Sequence, residues 1–320
     1  MTAPSLTPRQ RFIAALERRP LAGRVPHFEL VFFLTMQAFG RVHPSHRNYQ
    51  QWDQMTQVEQ QSHREDMAKL YISTAERYEH DAILPHPNPG AGEEKQRLID
   101  AIRDRTGDRY FLMLHGDPTF AIPAGSDMEA FSYRMVDEPD KLKAEAQRRV
   151  DAMMQNLAPL KDLDGLALCS DYCFNSGPFL SQDQFDEFVT PYLVQAIAAQ
   201  RQMGYYVIKH TDGNIMPILD RLLDANPHAL HSLDPQGGVD LAEMVRLAGD
   251  RVTLCGNVHC GLMQTGSEDE VTASARYALA EGMKAPGYIF CTSNCIYTGM
   301  PLERYELMLD VWRREGVREV

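Results

Sequence analysis

The stretch KHTDG, residues 209–213, places an imidazole and a carboxylate two positions apart where an apolar segment ends. If that segment is a β-strand that stops here, the side chains of His210 and Asp212 can point the same way. The pair could hold a metal ion, carry out acid–base chemistry, or simply cap the helix that follows. These two residues alone leave all three interpretations open.

Other apolar stretches also end in groups that titrate or bind metals. They are Glu29, Asp81, His115, Asp171, Asp234, the pair Cys255 and His259, and the pair Cys291 and Cys295. Zinc binds nitrogen, sulfur and oxygen donors tetrahedrally, and a catalytic zinc site leaves one position for substrate. His210, Asp212 and Asp234, with a cysteine after the last strand, could supply such a shell. The sequence thus predicts a polar site, with a metal ion as one candidate occupant.

The elements that must position these groups alternate regularly in the second half of the chain. Short apolar strands such as GLALCSD, YYVIKHTDG, ALHSLDP, VTLCGN and GYIFCTSN are each followed by an amphipathic helical stretch. This alternation is typical of βαβ units around a parallel sheet. Together with further units in the first half, it predicts an α/β fold of the (β/α)8 TIM-barrel type. Chemistry in such barrels occurs at the carboxyl ends of the strands.

We expect a single barrel domain over residues 1–320, in which residues 1–48 supply an N-terminal helix and the first strand and form no separate domain. Thr7 as a cap and Pro8 at the first helical position indicate where that helix begins. No Gly-x-Gly-x-x-Gly motif follows a first strand, so dinucleotide binding has no local support.

The composition and net charge limit the classes of partner that the chain is expected to bind. The 320-residue chain is 44% hydrophobic and 24% charged, with a net charge of −12, which argues against nucleic acids and anionic membrane surfaces as partners. It contains no apolar run of about eighteen residues, and its N-terminus has no apolar signal region. Six cysteines without secretion signals favour free thiols and a cytoplasmic location.

Residues 210–259, HTDGNIMPILDRLLDANPHALHSLDPQGGVDLAEMVRLAGDRVTLCGNVH, resemble the C-terminal half of the uroporphyrinogen decarboxylase superfamily. The similarity lies in a His-x-(Cys/Ser/Asp)-Gly-Asn turn, an acidic-Pro pair before a Gly-x-Asp-Leu helix start, and a Gly-Asn-(Ile/Val) strand end. LTPRQRFIAALERRPLAGRVPHFE, DRTGDRYFLMLHGDPTFAIPAG, SDYCFNSGPFLSQDQFDEFVTPYL and GYIFCTSNCIYTGMPLERYELML extend it over nearly the whole chain. The resemblance implies a distorted (β/α)8 barrel.

The superfamily holds two chemistries. Decarboxylases of porphyrinogens use no cofactor and bind the substrate carboxylates with an early Arg-Gln-Ala-Gly-Arg segment. The corresponding stretch here, HFELVFFLTMQAFGRVH, is apolar and lacks that arginine cluster. The resemblance therefore favours the other branch, the zinc-dependent methyltransferases that exchange methyl groups with the cobalt of a corrinoid or with a thiol.

In that branch a His-x-Cys pair, an acidic residue and a late cysteine bind zinc. The resemblance carries these roles to His210, Asp212, Asp234 and Cys295. Asp212 stands where the relatives have cysteine, which gives a harder, more oxygen-rich shell. Alignment on the residues that follow puts Asn294 at the late cysteine position, so Cys295 would need a one-residue loop shift. Cys291 and Cys255 are the alternative thiols.

The function implied is that of an O-demethylase component. Zinc would polarise the oxygen of a methyl ether, and the cobalt of a corrinoid on a partner protein would take the methyl group. The residues expected to line the substrate are Phe28, Phe32, Phe33, His115, Tyr172 and Phe174; those expected to orient it or protonate the leaving oxygen are Glu29, Asp81 and Asp171.

The expected partners are a corrinoid protein, a small-molecule methyl donor, most simply a methoxylated aromatic, and, as a further candidate, a second copy of the chain. A cobalamin-binding Asp-x-His-x-x-Gly motif is absent from the sequence, so the corrinoid is expected on another chain. A metal-free lyase of the decarboxylase type and a non-catalytic scaffold remain the alternative functions.

Overall fold

The computed structural model describes residues 6–48, 50–90 and 92–318. Its helices are α1 (Pro8–Leu16), α2 (Thr35–Phe39), α3 (Gln57–Tyr78), α4 (Glu94–Thr106), α5 (Met128–Asp137), α6 (Pro139–Leu157), α7 (Gln182–Phe188), α8 (Thr190–Gln202), α9 (Leu219–Asp224), α10 (Leu241–Ala248), α11 (Cys260–Thr265), α12 (Glu268–Gly282) and α13 (Leu302–Glu315). Its strands are β1 (Gly23–Arg24), β2 (Ala82–Ile83), β3 (Phe111–His115), β4 (Gly165–Leu168), β5 (Cys173–Phe174), β6 (Gly177–Pro178), β7 (Tyr206–His210), β8 (Ala229–His231), β9 (Thr253–Cys255), β10 (Tyr288–Ile289) and β11 (Val317–Arg318).

Seven parallel strands form one curved sheet in the order β10-β9-β8-β7-β4-β3-β2. The extended segment 25–33 joins its two edges. The amide of Phe290 donates to the carbonyl of Pro26 (2.9 Å), and the amide of Asp81 donates to the carbonyl of His27 (2.7 Å). The segment thus serves as the first strand of the barrel, and the predicted (β/α)8 TIM-type fold is confirmed.

Helix α1 closes the amino-terminal end of the barrel. Phe12 lies against Phe28 and Phe111, with ring centroids 5.3 and 4.7 Å apart, inside the apolar barrel interior. Thr7 and Gln10 cap the helix reciprocally, and Pro8 is its first residue, as the sequence predicts. The helix end is therefore fixed locally, while its apolar face is fixed by the barrel.

Two elements differ from the sequence expectation. The helical stretch that follows the strand GLALCSD is divided at Val189 into α7 and α8, because Pro191 lacks an amide proton and its ring would clash with the preceding turn. The first barrel strand is extended, but its regular pairing is reduced to isolated bridges at His27 and Phe32. No helix among the described residues is long and apolar enough to span a membrane.

Candidate active site

Three side chains from the carboxyl ends of β4 and β7 converge at the barrel mouth. Asp171 follows β4, His210 is the last residue of β7, and Asp212 follows it by two positions. Nε2 of His210 lies 3.6 Å from Oδ1 of Asp171 and 3.6 Å from Oδ1 of Asp212. In the described part of the chain, these three residues form the one cluster of at least three potential metal ligands whose donor atoms lie within 4.8 Å of one another.

The 3.6 Å separations have a specific chemical meaning. They are longer than a normal hydrogen bond between these groups, which spans about 2.7–3.2 Å. Two ligands bound tetrahedrally to one zinc ion at about 2.0–2.2 Å lie about 3.3–3.6 Å apart. Three protein donors with a free fourth position are also the usual composition of a catalytic zinc site. The cluster is therefore compatible with a bound metal ion.

A second histidine orients the first. His231, at the end of β8, is paired in register with His210, and their Nδ1 atoms lie 2.8 Å apart. Burial lowers the pKa of His210 to about 4, although Asp171 opposes the shift, and burial lowers that of His231 well below its ordinary value. Both rings are consequently neutral at pH 7. Neutral imidazole with one nitrogen engaged and the other free is the form that binds a metal.

Asp212 is held by two neighbours. The Ser232 hydroxyl donates to its Oδ1 (2.9 Å), and the Asn294 side-chain amide donates to its Oδ2. Burial raises the pKa of Asp212 to about 7, and the negative charges of Asp171 and Asp234 add to the effect. A cation bound between the carboxylates would relieve this repulsion.

Glycines bring the turns after β7 and β8 close together. Gly213 has φ +78°, and a Cβ there would lie 2.6 Å from the carbonyl oxygens of Cys173 and Phe174. A Cβ on Gly237 would lie 2.3 Å from the carbonyl carbon of Gly213. Only glycine fits these positions without moving backbone, so the HTDG turn is fixed beneath the loop that carries Asp171.

Two predicted metal ligands lie outside the cluster. Asp234 accepts backbone amides on both oxygens, from Gly213 (3.2 Å) and Gln236 (2.9 Å), and acts as a turn cap. Cys295 does not join the three donors, and burial raises the pKa of its thiol. The one-residue shift that would bring Cys295 to Asp212 does not occur, because Asn294 makes that contact instead.

The other two predicted thiols, those of Cys255 and Cys291, also lie outside the cluster. Cys255 and Cys291 are fully buried among the apolar side chains of the barrel interior. Burial raises the pKa of both thiols. His259 caps α11, where its side chain accepts the amide of Leu262. Among the described residues, no cysteine sulfur belongs to the three-donor cluster, although burial raises the pKa of the thiol of Cys169 and the charges of Asp171 and Asp212 act on it as well.

Of the three residues predicted to orient substrate or protonate the leaving oxygen, only Asp171 lies in the cluster, as a potential ligand. Asp81 precedes β2 and pairs with Arg11 of α1 at 2.7 Å, at the amino-terminal end of the barrel, opposite His210. Glu29 is buried against Thr292, whose hydroxyl donates to it at 2.5 Å. Burial raises the pKa of Glu29 to about 8. Asp81 is thus a structural ion-pair partner, and Glu29 a buried neutral acid.

The predicted substrate-lining aromatics separate into two groups. Phe28, Phe32 and Tyr172 are core residues. Phe28 is enclosed between Phe12 and His231 inside the barrel. Phe32 packs on Tyr78 and Tyr305, and Tyr172 packs on Phe185. Phe174 is 44% exposed on β5, and Phe33 is partly buried and stacks on His46. His115 ends β3 and faces His86, with Nε2 atoms 2.9 Å apart. Phe33, Phe174 and His115 remain candidates for substrate contacts.

The residues that contact His210 and Asp212 from behind the cluster were not among those predicted from the sequence. His231 and Ser232 repeat the order of histidine and hydroxyl residue found in His210 and Thr211 one strand earlier, and this repetition could have indicated them. Lys209 and Asp117, described below, carry no such signal. Their importance arises from contacts across strands that no local pattern encodes.

Comparisons with known proteins bear on this site. The sequence model of the uroporphyrinogen decarboxylase (URO-D) family matches residues 120–315. No curated protein sequence matches the chain. Among solved structures, a methyltransferase from Methanosarcina mazei is similar, with a TM-score of 0.73 and 19% sequence identity over 97% of this chain and 99% of that one. This second similarity is one of fold.

Proposed function

The chain belongs to the uroporphyrinogen decarboxylase family, and from that premise we propose that it is a metal-dependent methyltransferase of the O-demethylase type. Its methyl donor would be a small methyl ether, most simply a methoxylated aromatic, and its acceptor the cobalt of a corrinoid carried by a partner protein. The fold shared with a methyltransferase supports this choice. The observation that carries it is the spacing of Asp171, His210 and Asp212.

Zinc held by these three residues would supply Lewis acidity, which polarises an ether oxygen and makes it a better leaving group. The protein's own contribution is to present the donors in the right form. His210 offers an uncharged ring whose Nδ1 contacts His231, so Nε2 faces the two carboxylates. Ser232 and Asn294 orient the carboxylate of Asp212 before any ion arrives.

The surroundings favour a substrate with an apolar ring. Phe33, at the end of the first barrel strand, and Phe174, on β5 after the fourth, supply aromatic surface that is not fully buried. His115 at the end of β3 and His86 on the loop after β2 supply a polar pair, and desolvation lowers the pKa of both, so they are neutral hydrogen-bonding groups at pH 7. An aromatic ether with a second polar substituent matches this combination.

The test combines metal analysis with methyl transfer. The purified chain should contain close to one zinc per chain, and chelation should abolish transfer from methoxylated aromatics to a supplied corrinoid protein. His210→Ala should lose both metal and activity. His228→Asn is the matched control, because His228 precedes β8 at the amino-terminal end of the barrel, packs on the ring of Tyr206 and accepts the amide of Val207 (2.9 Å), which asparagine can also accept. A metal-free chain with full activity would refute the proposal.

A metal-free lyase is the second candidate, and one observation favours it. Two adjacent carboxyl groups, of which Asp212 has a pKa raised to about 7 by burial and by Asp171, are suited to donate and accept a proton. Activity that survives chelation, with release of carbon dioxide from a carboxylated tetrapyrrole, would support this chemistry. A scaffold role would leave partner binding intact in His210→Ala.

A further inference from the structure

A completely buried lysine lies directly behind the candidate metal cluster. Lys209 precedes His210 on β7, and its side chain is 0% exposed. Its ammonium group donates to Asp117 Oδ2 (2.7 Å), to the carbonyl of Ser170 (2.9 Å) and to that of Leu168 (3.3 Å). All three N–H donors are therefore used, two of them on the backbone of the segment that leads from β4 to Asp171.

Asp117 also binds the segment that leads from β4 to Asp171. Its Oδ2 accepts the amide of Ser170 (2.9 Å), and its Oδ1 accepts the amide (2.9 Å) and hydroxyl (2.5 Å) of Thr119. Lys209 and Asp117 together thus bind both backbone groups of Ser170, the residue immediately before Asp171. An ion pair that bonds to the N–H and the C=O of one residue fixes the direction in which the chain leaves that residue.

The residue after Asp171 is fixed by the same group. The Lys209 ammonium lies 4.1 Å from the centre of the Tyr172 ring, and the Tyr172 hydroxyl contacts that of Thr119 (2.6 Å). The backbone amide of Tyr172 donates to the Thr211 hydroxyl (3.0 Å). Asp171 itself has a side chain that is 44% exposed, so its position depends on these flanking contacts and on the amide of Asp212.

Stability alone does not account for a buried ion pair here. Withdrawing a lysine and an aspartate from water has a desolvation cost, and an apolar pair of similar volume is often as stable or more so. What an apolar pair cannot do is bind two backbone groups in a defined direction. We propose that the Lys209–Asp117 pair is a positioning device that holds Asp171 in place to bind the metal ion, an inference that rests on the proposed metal site.

The experiment measures zinc and cobalt(II) affinity by competition with a chromophoric chelator. Lys209→Met should weaken metal binding about 10–100-fold, the usual effect of losing a group that orients a ligand. The visible absorption of bound cobalt(II) should change with it, because a lost ligand alters the coordination geometry. In an Asp171→Ala background, Lys209→Met should have no additional effect, because the lysine acts through that carboxylate.

Two further variants separate positioning from folding. Arg103→Met removes a comparable contact, the ion pair with Asp164 at the opposite end of β4 (2.7 Å), and should lower the melting temperature without changing metal affinity. The double variant Lys209→Met with Asp117→Leu replaces the buried charges with an apolar pair. It should melt near the parent protein and still bind zinc at least tenfold more weakly.

The outcomes are distinguishable. Two results would overturn the positioning role while leaving the metal site intact. One is a zinc affinity of Lys209→Met within threefold of that of Arg103→Met. The other is a further loss of zinc affinity when Lys209→Met is added to Asp171→Ala. If the parent protein binds neither zinc nor cobalt(II), the proposed function fails, and this inference fails with it.

Discussion

Replacing Asp212 with asparagine should stabilise the metal-free protein while removing its affinity for metal. Asparagine has nearly the same shape as aspartate, and its side-chain oxygen can still accept the Ser232 hydroxyl. Asn294 can rotate its amide to accept the new N–H donor. The substitution therefore removes chiefly the negative charge, which lies beside that of Asp171 in a buried position.

The magnitude follows from the pKa of the carboxyl group. Burial and the neighbouring charge of Asp171 raise the pKa of Asp212 from 3.8 to about 7. A group whose pKa is raised on folding contributes stability fully below pH 3.8, and that contribution is lost as the pH rises to about 7. At about 1.4 kcal/mol per pH unit, the loss is roughly 1.5 kcal/mol at pH 5 and about 4 kcal/mol at pH 8. As the pH rises from 5 to 8, the free energy of unfolding of Asp212→Asn should therefore increase by about 2–3 kcal/mol relative to that of its parent.

Thermal unfolding at both pH values in the presence of a chelator measures this gain in stability, which corresponds to an increase in melting temperature on the order of 5 °C. Asp234→Asn is the matched control, because it is the same substitution in the neighbouring turn, after β8. The carboxylate of Asp234 accepts the amides of Gly213 and Gln236. This variant should therefore lose a cap and show no such gain in stability at pH 8. Zinc titration should show that Asp212→Asn no longer binds metal. An equal effect of Asp212→Asn at both pH values would refute the reasoning.

Two further predictions concern residues around the site. Exchanging His231 for leucine should weaken zinc binding about 10–100-fold, whereas asparagine, which keeps a polar partner for Nδ1 of His210, should retain most of the affinity; equal losses in the two titrations would contradict an orienting role. Arg11→Met leaves the carboxylate of Asp81 buried without its cation and should lower the free energy of unfolding by about 3 kcal/mol in denaturant titrations. Zinc affinity should stay unchanged, and a decrease would contradict the location of Asp81 at the far end of the barrel.

The barrel could be predicted because each βα unit carries its own signal. The strands β4, β7, β8, β9 and β10 all lie within segments that the apolar pattern identifies, since a buried parallel strand needs a continuous apolar run. The break before α8 was not predicted, although Pro191, the residue that causes it, lies in the helical stretch. The irregular pairing of the first strand was harder to predict from the sequence. This strand pairs with both edge strands of the sheet, and those strands are far apart in the sequence.

The site was only partly predictable, because register and side-chain direction decide which strand-end residues meet. His210 and Asp212 lie together as their spacing of two suggests. Asp234 lies three residues beyond His231, and that extra residue turns its carboxylate towards backbone amides. Asp81 precedes its strand instead of following it, which places it at the wrong end of the barrel. A difference of one or two positions, invisible in composition, therefore separates a ligand from a cap.

The donors of the cluster are one imidazole and two carboxylates, and this donor set bears on the chemistry that the site would suit. Both positions at which the resemblance expects cysteine carry other groups, the carboxylate of Asp212 and the amide of Asn294, and these two bind each other. Thiolates donate electron density to a metal ion and make it a weaker Lewis acid, whereas imidazole and carboxylate oxygens leave it harder. A harder ion has more affinity for an ether oxygen than for a substrate thiol. If the cluster holds a metal ion as proposed, its donor set would favour cleavage of a carbon–oxygen bond over methylation of a thiol, because the transition state of ether cleavage concentrates negative charge on oxygen.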